Sequence, residues 1–236
     1  ETETAHVRLK DGRVLALKVV VEPPRPEATV IGRTVAAAPR PAGGLPLTLA
    51  GPDMLPADAT LTFALRAGPT TRFSPATKIE VADADTSTTL GVQDGLTLED
   101  AQVALAVLTP AKAFGPSAYG PLRYRVVEGD AAGDWHALAT LVRLPVLGGL
   151  ECEGGSEKRC ELEGSRLFLI QSAAAGSDFS EAVQVPEGYT AETLAVPRPK
   201  DGRLYLKLHD DPGVTAWVAT GKVRSGKASP RRTAKP

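Results

Sequence analysis

Two cysteines are the most reactive residues that this chain spaces together. Cys152 and Cys160 occupy mirrored places in Leu150-Glu151-Cys152-Glu153 and Cys160-Glu161-Leu162-Glu163, around a Gly/Ser-containing turn. Directly opposed residues of a hairpin hold their Cβ atoms about 4.5–5.5 Å apart, close enough for a disulfide after modest adjustment. The residue types also fit two free buried thiols, or half of a metal site. A zinc site takes about four ligands, and His6, His136 and His209 are distant from one another in sequence. The disulfide is the favoured reading. It closes a short loop and places the chain in an oxidising compartment: the periplasm, the cell surface or the medium outside.

A second candidate is acidic. Asp83, Asp85 and Ser87 put oxygens at alternate positions, as a calcium loop begins. An EF-hand loop wants Gly at its sixth position and Glu at its twelfth. Here those positions are Thr88 and Asp94, and no flanking helices are expected. Asp83, Asp85, Ser87 and Asp94 are therefore a possible calcium set, set against a plain polar turn between Val81 and Leu90. Asp210-Asp211-Pro212-Gly213 is another acidic turn, of the kind that accepts local hydrogen bonds. For a glycan, the candidate aromatic platforms are Tyr119, in a Gly/Pro loop, and Trp217; Trp135 and Tyr205 fall in alternating segments that favour core or half-core packing.

Nucleophilic catalysis needs a Ser, Cys or Thr beside a positioned base. No G-x-S-x-G elbow occurs, and Gly115-Pro116-Ser117 has the wrong spacing. Neither glycine-rich phosphate motif is present. The expectation is a non-enzymatic protein without a cofactor, calcium being the one ion with any motif behind it.

The elements that position these residues read as strands. Gly 23 and Pro 20 leave little room for long helices, and aromatics are 5% of the chain. Two β-prone runs flank Asp11-Gly12, which predicts a hairpin with a two-residue turn. Leu61, Phe63 and Leu65 alternate as a half-buried strand requires. Further strands are expected at 29–35, 45–49, 78–82, 122–127, 135–144, 166–170, 182–185 and 203–208. The stretch 96–108 is ambiguous: Thr97 would cap a helix, but the large–small alternation of Val103 to Leu108 favours a strand. Short strands every 8–15 residues with Gly/Pro turns are the pattern of β-sandwiches.

A net charge of −1 gives no field to attract nucleic acid. No run approaches the roughly 20 apolar residues that span a bilayer. The chain opens Glu1-Thr2-Glu3-Thr4 and its one Met is Met54, as expected of a processed chain, so the missing signal peptide does not argue against export. The basic segment 221–236 reads as a disordered linker. Lys10-Asp11-Gly12-Arg13-Val14-Leu15 echoes Lys200-Asp201-Gly202-Arg203-Leu204-Tyr205, which marks either a repeated unit or a turn sequence used twice.

The C-terminal part, about 144–218, resembles the Ig-like sandwich modules, including the TIG type, of bacterial exported proteins. The likeness rests on the Cys152/Cys160 hairpin, Gly164-Ser165-Arg166-Leu167-Phe168-Leu169-Ile170, Val185-Pro186-Glu187-Gly188-Tyr189, and Leu204-Tyr205-Leu206-Lys207-Leu208. Ala111-Lys112-Ala113-Phe114-Gly115-Pro116-Ser117 is similar to the companion region of such proteins. The resemblance implies an all-β chain of two or three tandem Ig-like β-sandwich domains: a hairpin or partial domain at 1–26, sandwiches at 27–146 and 147–220, and the tail. The expected role is a structural or adhesive module of a cell-surface or secreted protein. The alternatives are a glycan- or calcium-binding accessory module, or a strand-donating subunit of an extracellular assembly. The expected partner is another protein or the cell envelope.

Overall fold

Strand-forming alternation and frequent turn residues produce a molecule that is nearly all β. The structure, a computed structural model, describes residues 2–20, 24–39, 43–153, 159–220 and 225–226. β1 (Thr2–Arg8) and β2 (Val14–Val20) form a two-stranded antiparallel hairpin. Its turn differs from the expected two-residue form. Leu9 N–H donates to the Arg13 carbonyl at 2.8 Å, Gly12 N–H to the Leu9 carbonyl at 3.0 Å, and only Gly12 takes a positive φ, of 86°. Three residues thus turn the chain, with glycine in the left-handed position that a three-residue hairpin loop requires.

The first core lies between two sheets. One is ordered β3 (Ala28–Ala36), β6 (Thr60–Ala67), β10 (Val103–Leu108), β9 (Leu96–Leu98). The stretch 96–108 is therefore β throughout, two strands joined by a turn. The facing sheet is ordered β5 (Met54–Pro56), β13 (His136–Val142), β11 (Gly120–Glu128), β7 (Thr77–Ala82), β8 (Ser87–Leu90), with β12 (Ala131–Ala132) beside β11. Leu61, Phe63 and Leu65 point inward against Ile79, Val81, Leu122, Tyr124 and Val126, and the Phe63 and Tyr124 rings meet across the layers at 6.3 Å. Burial pushes the Tyr124 phenol up, and its O–H donates to the Ala28 carbonyl at 3.0 Å. Two helical pieces were not foreseen. α1 (Pro110–Phe114) has Thr109 at its N-cap position and Pro at its first position, where the missing N–H costs nothing. The stretch 166–170, expected as a strand, is instead a 3-10 turn at Leu167–Leu169 after a left-handed Arg166 (φ 57°), and strand resumes only at Ile170.

The second core lies between β18 (Thr193–Pro197), β15 (Arg159–Ser165), β14 (Val146–Glu153), β21 (Ser225–Gly226) and a sheet ordered β17 (Val183–Gln184), β16 (Ile170–Ala174), β19 (Arg203–Leu208), β20 (Asp211–Ala219), β4 (Leu47–Leu49). Leu162, Ile170, Leu204, Leu206 and Val218 are sealed at its centre. Most of the basic segment 221–236 lies outside the described residues; Ser225 and Gly226 pair in parallel with Cys152 and Glu153.

β4 stands out because its chain neighbours belong elsewhere. β3 and β5 both serve the first core, yet Leu47, Thr48 and Leu49 pair with Val218, Trp217 and Ala216. Leu45, Leu47 and Leu49 pack on the second core. Leu45 N–H donates to the Leu147 carbonyl at 2.8 Å and Ala50 N–H to the Thr215 carbonyl at 3.0 Å, so the strand is held at both ends. The segment 45–49 thus pairs within the sheet of the C-terminal region, although the chain places it inside 27–146.

The Lys-Asp-Gly-Arg echo has two different contexts. Gly12 turns between paired strands, whereas Gly202 (φ 68°) connects β18 in one sheet to β19 in the other. The apolar sets are also on opposite parities: Leu204, Leu206 and Leu208 are buried, while the aligned Val14, Ala16 and Lys18 lie on the polar face of the hairpin. The echo is a turn sequence used twice.

The pairing of β4 makes a direct prediction. Leu47→Asp together with Leu49→Asp should cost the second core about 2 kcal/mol or more. Amide exchange at Ala216–Val218 should quicken about tenfold or more while the β6 and β11 amides hold their rates. Unchanged exchange in β20 would show that β4 is dispensable.

Candidate functional site

The polar chemistry of the molecule concentrates where the two cores meet and on the outer faces of two sheets. At the junction, Arg143 follows the end of β13 and Asp210 sits in the turn between β19 and β20. The Arg143 backbone N–H and Nε donate to Asp210 Oδ2 at 2.8 and 2.9 Å, and Nη2 donates to Oδ1 at 2.5 Å. The Asp210 side chain is only 2% exposed. Its hydrogen bonds hold the Arg143 guanidinium above its ordinary pKa, against the opposing effect of burial. The same guanidinium lies 4.3 Å from the centre of the Tyr119 ring, a cation–π contact. Tyr119 is 53% exposed, so the expected platform does face solvent, but with one face taken by an arginine. Beside this clamp opens a cavity of 530 Å³ whose lining includes Val35, Leu45, Leu49, Leu144 and Val146.

The outer faces repeat one theme. In the second sheet of the C-terminal core, inward Leu204, Leu206, Ala216 and Val218 leave Arg203, Tyr205, Lys207, Thr215 and Trp217 facing outward. Tyr205 and Trp217 are direct cross-strand partners, and Thr48 lies opposite Trp217 on the other side. The Arg203 guanidinium sits 5.7 Å from the Trp217 ring. Trp217 therefore does occupy a surface row, and it brings Tyr205 with it. On the N-terminal core the corresponding feature is Trp135, which precedes β13 rather than lying within it. Arg123 and Arg125 approach its ring at 4.6 and 4.5 Å, and Arg125 Nε donates to Glu80 Oε2 at 2.6 Å.

The cysteines sit where the hairpin symmetry puts them. Cys152 and Cys160 are ladder partners, their Cα atoms are 4.2 Å apart, and their sulfurs are at disulfide-bonding distance. Both are buried in the second core. The loop 154–158 between them lies outside the described residues.

The acidic set resolves differently. Asp83 Oδ1 accepts from the backbone N–H of Asp85 at 2.9 Å and of Thr86 at 2.7 Å, and from the Thr86 hydroxyl at 3.1 Å. Burial acts to raise the Asp83 pKa, but these hydrogen bonds outweigh it and hold the carboxyl below its ordinary value of 3.8. Ser87 begins β8, and Asp94 closes the β8–β9 turn by backbone bonds to Gly91. Among the described residues no three His, Cys, Asp or Glu side chains converge as a metal group. The three histidines fall in the β1–β2 hairpin, at the start of β13 and after β19. No helix among the described residues is long and apolar enough to cross a membrane.

No protein-family model matches this chain, and no curated protein matches it either.

Sequence reasoning did not find Arg143 as the partner of Asp210. The only local signal was an acidic pair in a turn, and the two residues are 67 apart. It read Trp135 as core or half-core, and the residue is half-buried, but on the outer face rather than in the core. The alternating arginines at 123 and 125 were the available sign of an outward-facing indole.

Two expectations follow. Asp210→Ala leaves a partly buried guanidinium unpaired and should cost about 2–3 kcal/mol in denaturant unfolding; a loss under 0.5 kcal/mol is the range of an ordinary surface change. Asp83→Ala should cost about 1 kcal/mol at neutral pH. Because the folded pKa lies below the unfolded one, that stabilisation is present above about pH 4 and disappears as pH falls through the folded value. The difference between wild type and variant should therefore shrink in acid unfolding series below pH 4, and a gap that widens there would contradict the hydrogen-bond assignment.

Proposed function

We propose that this chain is a non-enzymatic structural module of a bacterial cell-surface or secreted protein, made of tandem Ig-like β-sandwich units. Strand order supports the Ig-like reading of the first core. With β3, β6, β10 and β9 as A, B, E and D, and β13, β11, β7 and β8 as G, F, C and C′, the two sheets follow the Ig arrangement of A-B-E-D against G-F-C-C′. The second core follows it in part, as E-B-A against C′-C-F-G. The Cys152–Cys160 geometry is compatible with an oxidising compartment.

The observation that carries the structural role is the clamp. Interfaces between tandem units are ordinarily modest and let the units move. Here a strand inserted from one unit's sequence into the other's sheet, backed by the Arg143–Asp210 pair, resists bending where a spacer would otherwise flex. Pulling on single molecules should give one cooperative unfolding event for both cores, and Asp210→Ala should split it into two. Two independent events in the unaltered chain would remove the stiff-spacer reading. Intact mass after alkylation without reductant should show no modified cysteine; two modified thiols would remove the main support for export.

A second reading, a glycan-binding accessory module, is favoured by the Thr48–Trp217–Tyr205 row. Neighbouring aromatic side chains on an outer sheet face suit the apolar faces of sugar rings, with Arg203 and Lys207 as hydrogen-bond donors. Binding on a glycan array that is lost in Trp217→Ala would establish it, and silence across the array would end it.

A further inference from the structure

The β1–β2 hairpin contributes to neither core. Its register sorts the side chains cleanly. Glu3/Val19, Ala5/Leu17 and Val7/Leu15 are opposed on one face, and Thr2/Val20, Thr4/Lys18, His6/Ala16 and Arg8/Val14 on the other. The first face is an aliphatic stripe with Glu3 at its rim, and Val7, Leu15, Leu17 and Val19 are all exposed. A lone two-stranded hairpin is marginal in water; three or more strands with an apolar face are needed for independent stability.

The two outer edges differ. β1 carries Glu3, His6 and Arg8, which suit an edge left in water. β2, Val14-Leu15-Ala16-Leu17-Lys18-Val19-Val20, is apolar at every position but one. It has no proline, and its ladder to β1 runs unbroken over seven residues without a bulge. Proteins normally protect such edges with charges, proline or a bulge, because an unprotected edge templates another strand.

We propose that β2 is a self-association edge, pairing antiparallel with β2 of a second copy about a twofold axis at Leu17. A symmetric pairing that uses all seven residues has one register: Val14 opposite Val20, Leu15 opposite Val19, Ala16 opposite Lys18, and Leu17 opposite Leu17. Every stripe residue of β2 then meets a stripe residue of the second copy, so the two apolar faces join into one. The single cation of each strand lies opposite alanine, and the two Lys18 ammonium groups do not face each other. Like charges directly opposed would destabilise the pair. Centring on Lys18 instead would oppose them and shorten the ladder. The product is a closed, isologous dimer with a four-stranded sheet. Two seven-residue edges bury less than the roughly 800 Å² per partner of a standard stable interface, which makes the dimer weak and reversible. This goes beyond the spacer reading and does not rest on it.

Sedimentation of the full chain between about 10 µM and about 1 mM should show mass rising from monomer toward dimer, the range of a weak contact. Leu17→Lys, which opposes two ammonium groups at the axis, should raise the dissociation constant at least about tenfold, whereas Thr4→Lys on β1 should leave it unchanged. Leu17→Cys should form a reducible covalent dimer on mild oxidation, with Cys152–Cys160 intact, and Thr4→Cys should not. A strict monomer at the highest concentration would overturn the proposal. So would equal cross-linking through position 4, or association indifferent to Leu17→Lys in a chain whose circular dichroism is unchanged.

Discussion

The antiparallel pairing of β4 with β20 is the contact on which the arrangement of the molecule turns. A sheet edge is a row of unsatisfied donors and acceptors, and β20, without β4, would be such an edge beside the buried Leu204, Leu206, Ala216 and Val218. Covering it with three residues taken from between β3 and β5 satisfies that edge and ties the two cores in one step. Everything at the junction follows from the tie. The chain must cross between cores on either side of β4 and again after β13. Arg143, at that last crossing, arrives beside the β19–β20 turn, where Asp210 accepts three of its N–H groups.

The same logic separates what was legible in the sequence from what was not. Alternation at Leu61, Phe63 and Leu65 announces a strand with one buried face, because period two is a local property of the chain. The Cys152/Cys160 mirror announces a hairpin for the same reason. The run Leu45-Pro46-Leu47-Thr48-Leu49 is equally legible as a strand. Its partner is not, because nothing within ten residues of Thr48 encodes the edge of Trp217. The five-residue helix at Pro110 had a local signal in Thr109-Pro110, but it is too short to show periodicity. Asp210 was readable as an acceptor and not as an anchor, since its donor is fixed by the tertiary path alone.

The candidate sites divide similarly. Tyr119, in its Gly/Pro loop, and Trp217 stood out as candidate aromatic platforms; Tyr119 is exposed and Trp217 half-buried on an outer sheet face. What composition could not convey is their company. Tyr119 shares its ring with the junction arginine, Trp217 is aligned with Tyr205, and Trp135 is bracketed by two guanidiniums on the other core. Aromatic–cation rows on both outer faces fit a protein that keeps its sheets open to water. The indoles cover sheet surface while the guanidiniums keep it solvated. The carboxylates of the acidic turn were spaced for a cation, but the backbone N–H groups of their own loop reach Asp83 first.

Thr48 and Trp217 are 169 residues apart (217 − 48), and that separation bears on how the chain reaches its final form. A contact of such range cannot nucleate early, because closing so long a loop is entropically costly before other contacts reward it. During synthesis the first core can gather from residues 28–142, yet it must do so with β4 looped out and unpaired. Only after β19 and β20 have emerged can that loop be captured. The second core is thus the last part of the molecule to close, and a three-residue apolar strand waits exposed on the first until it does.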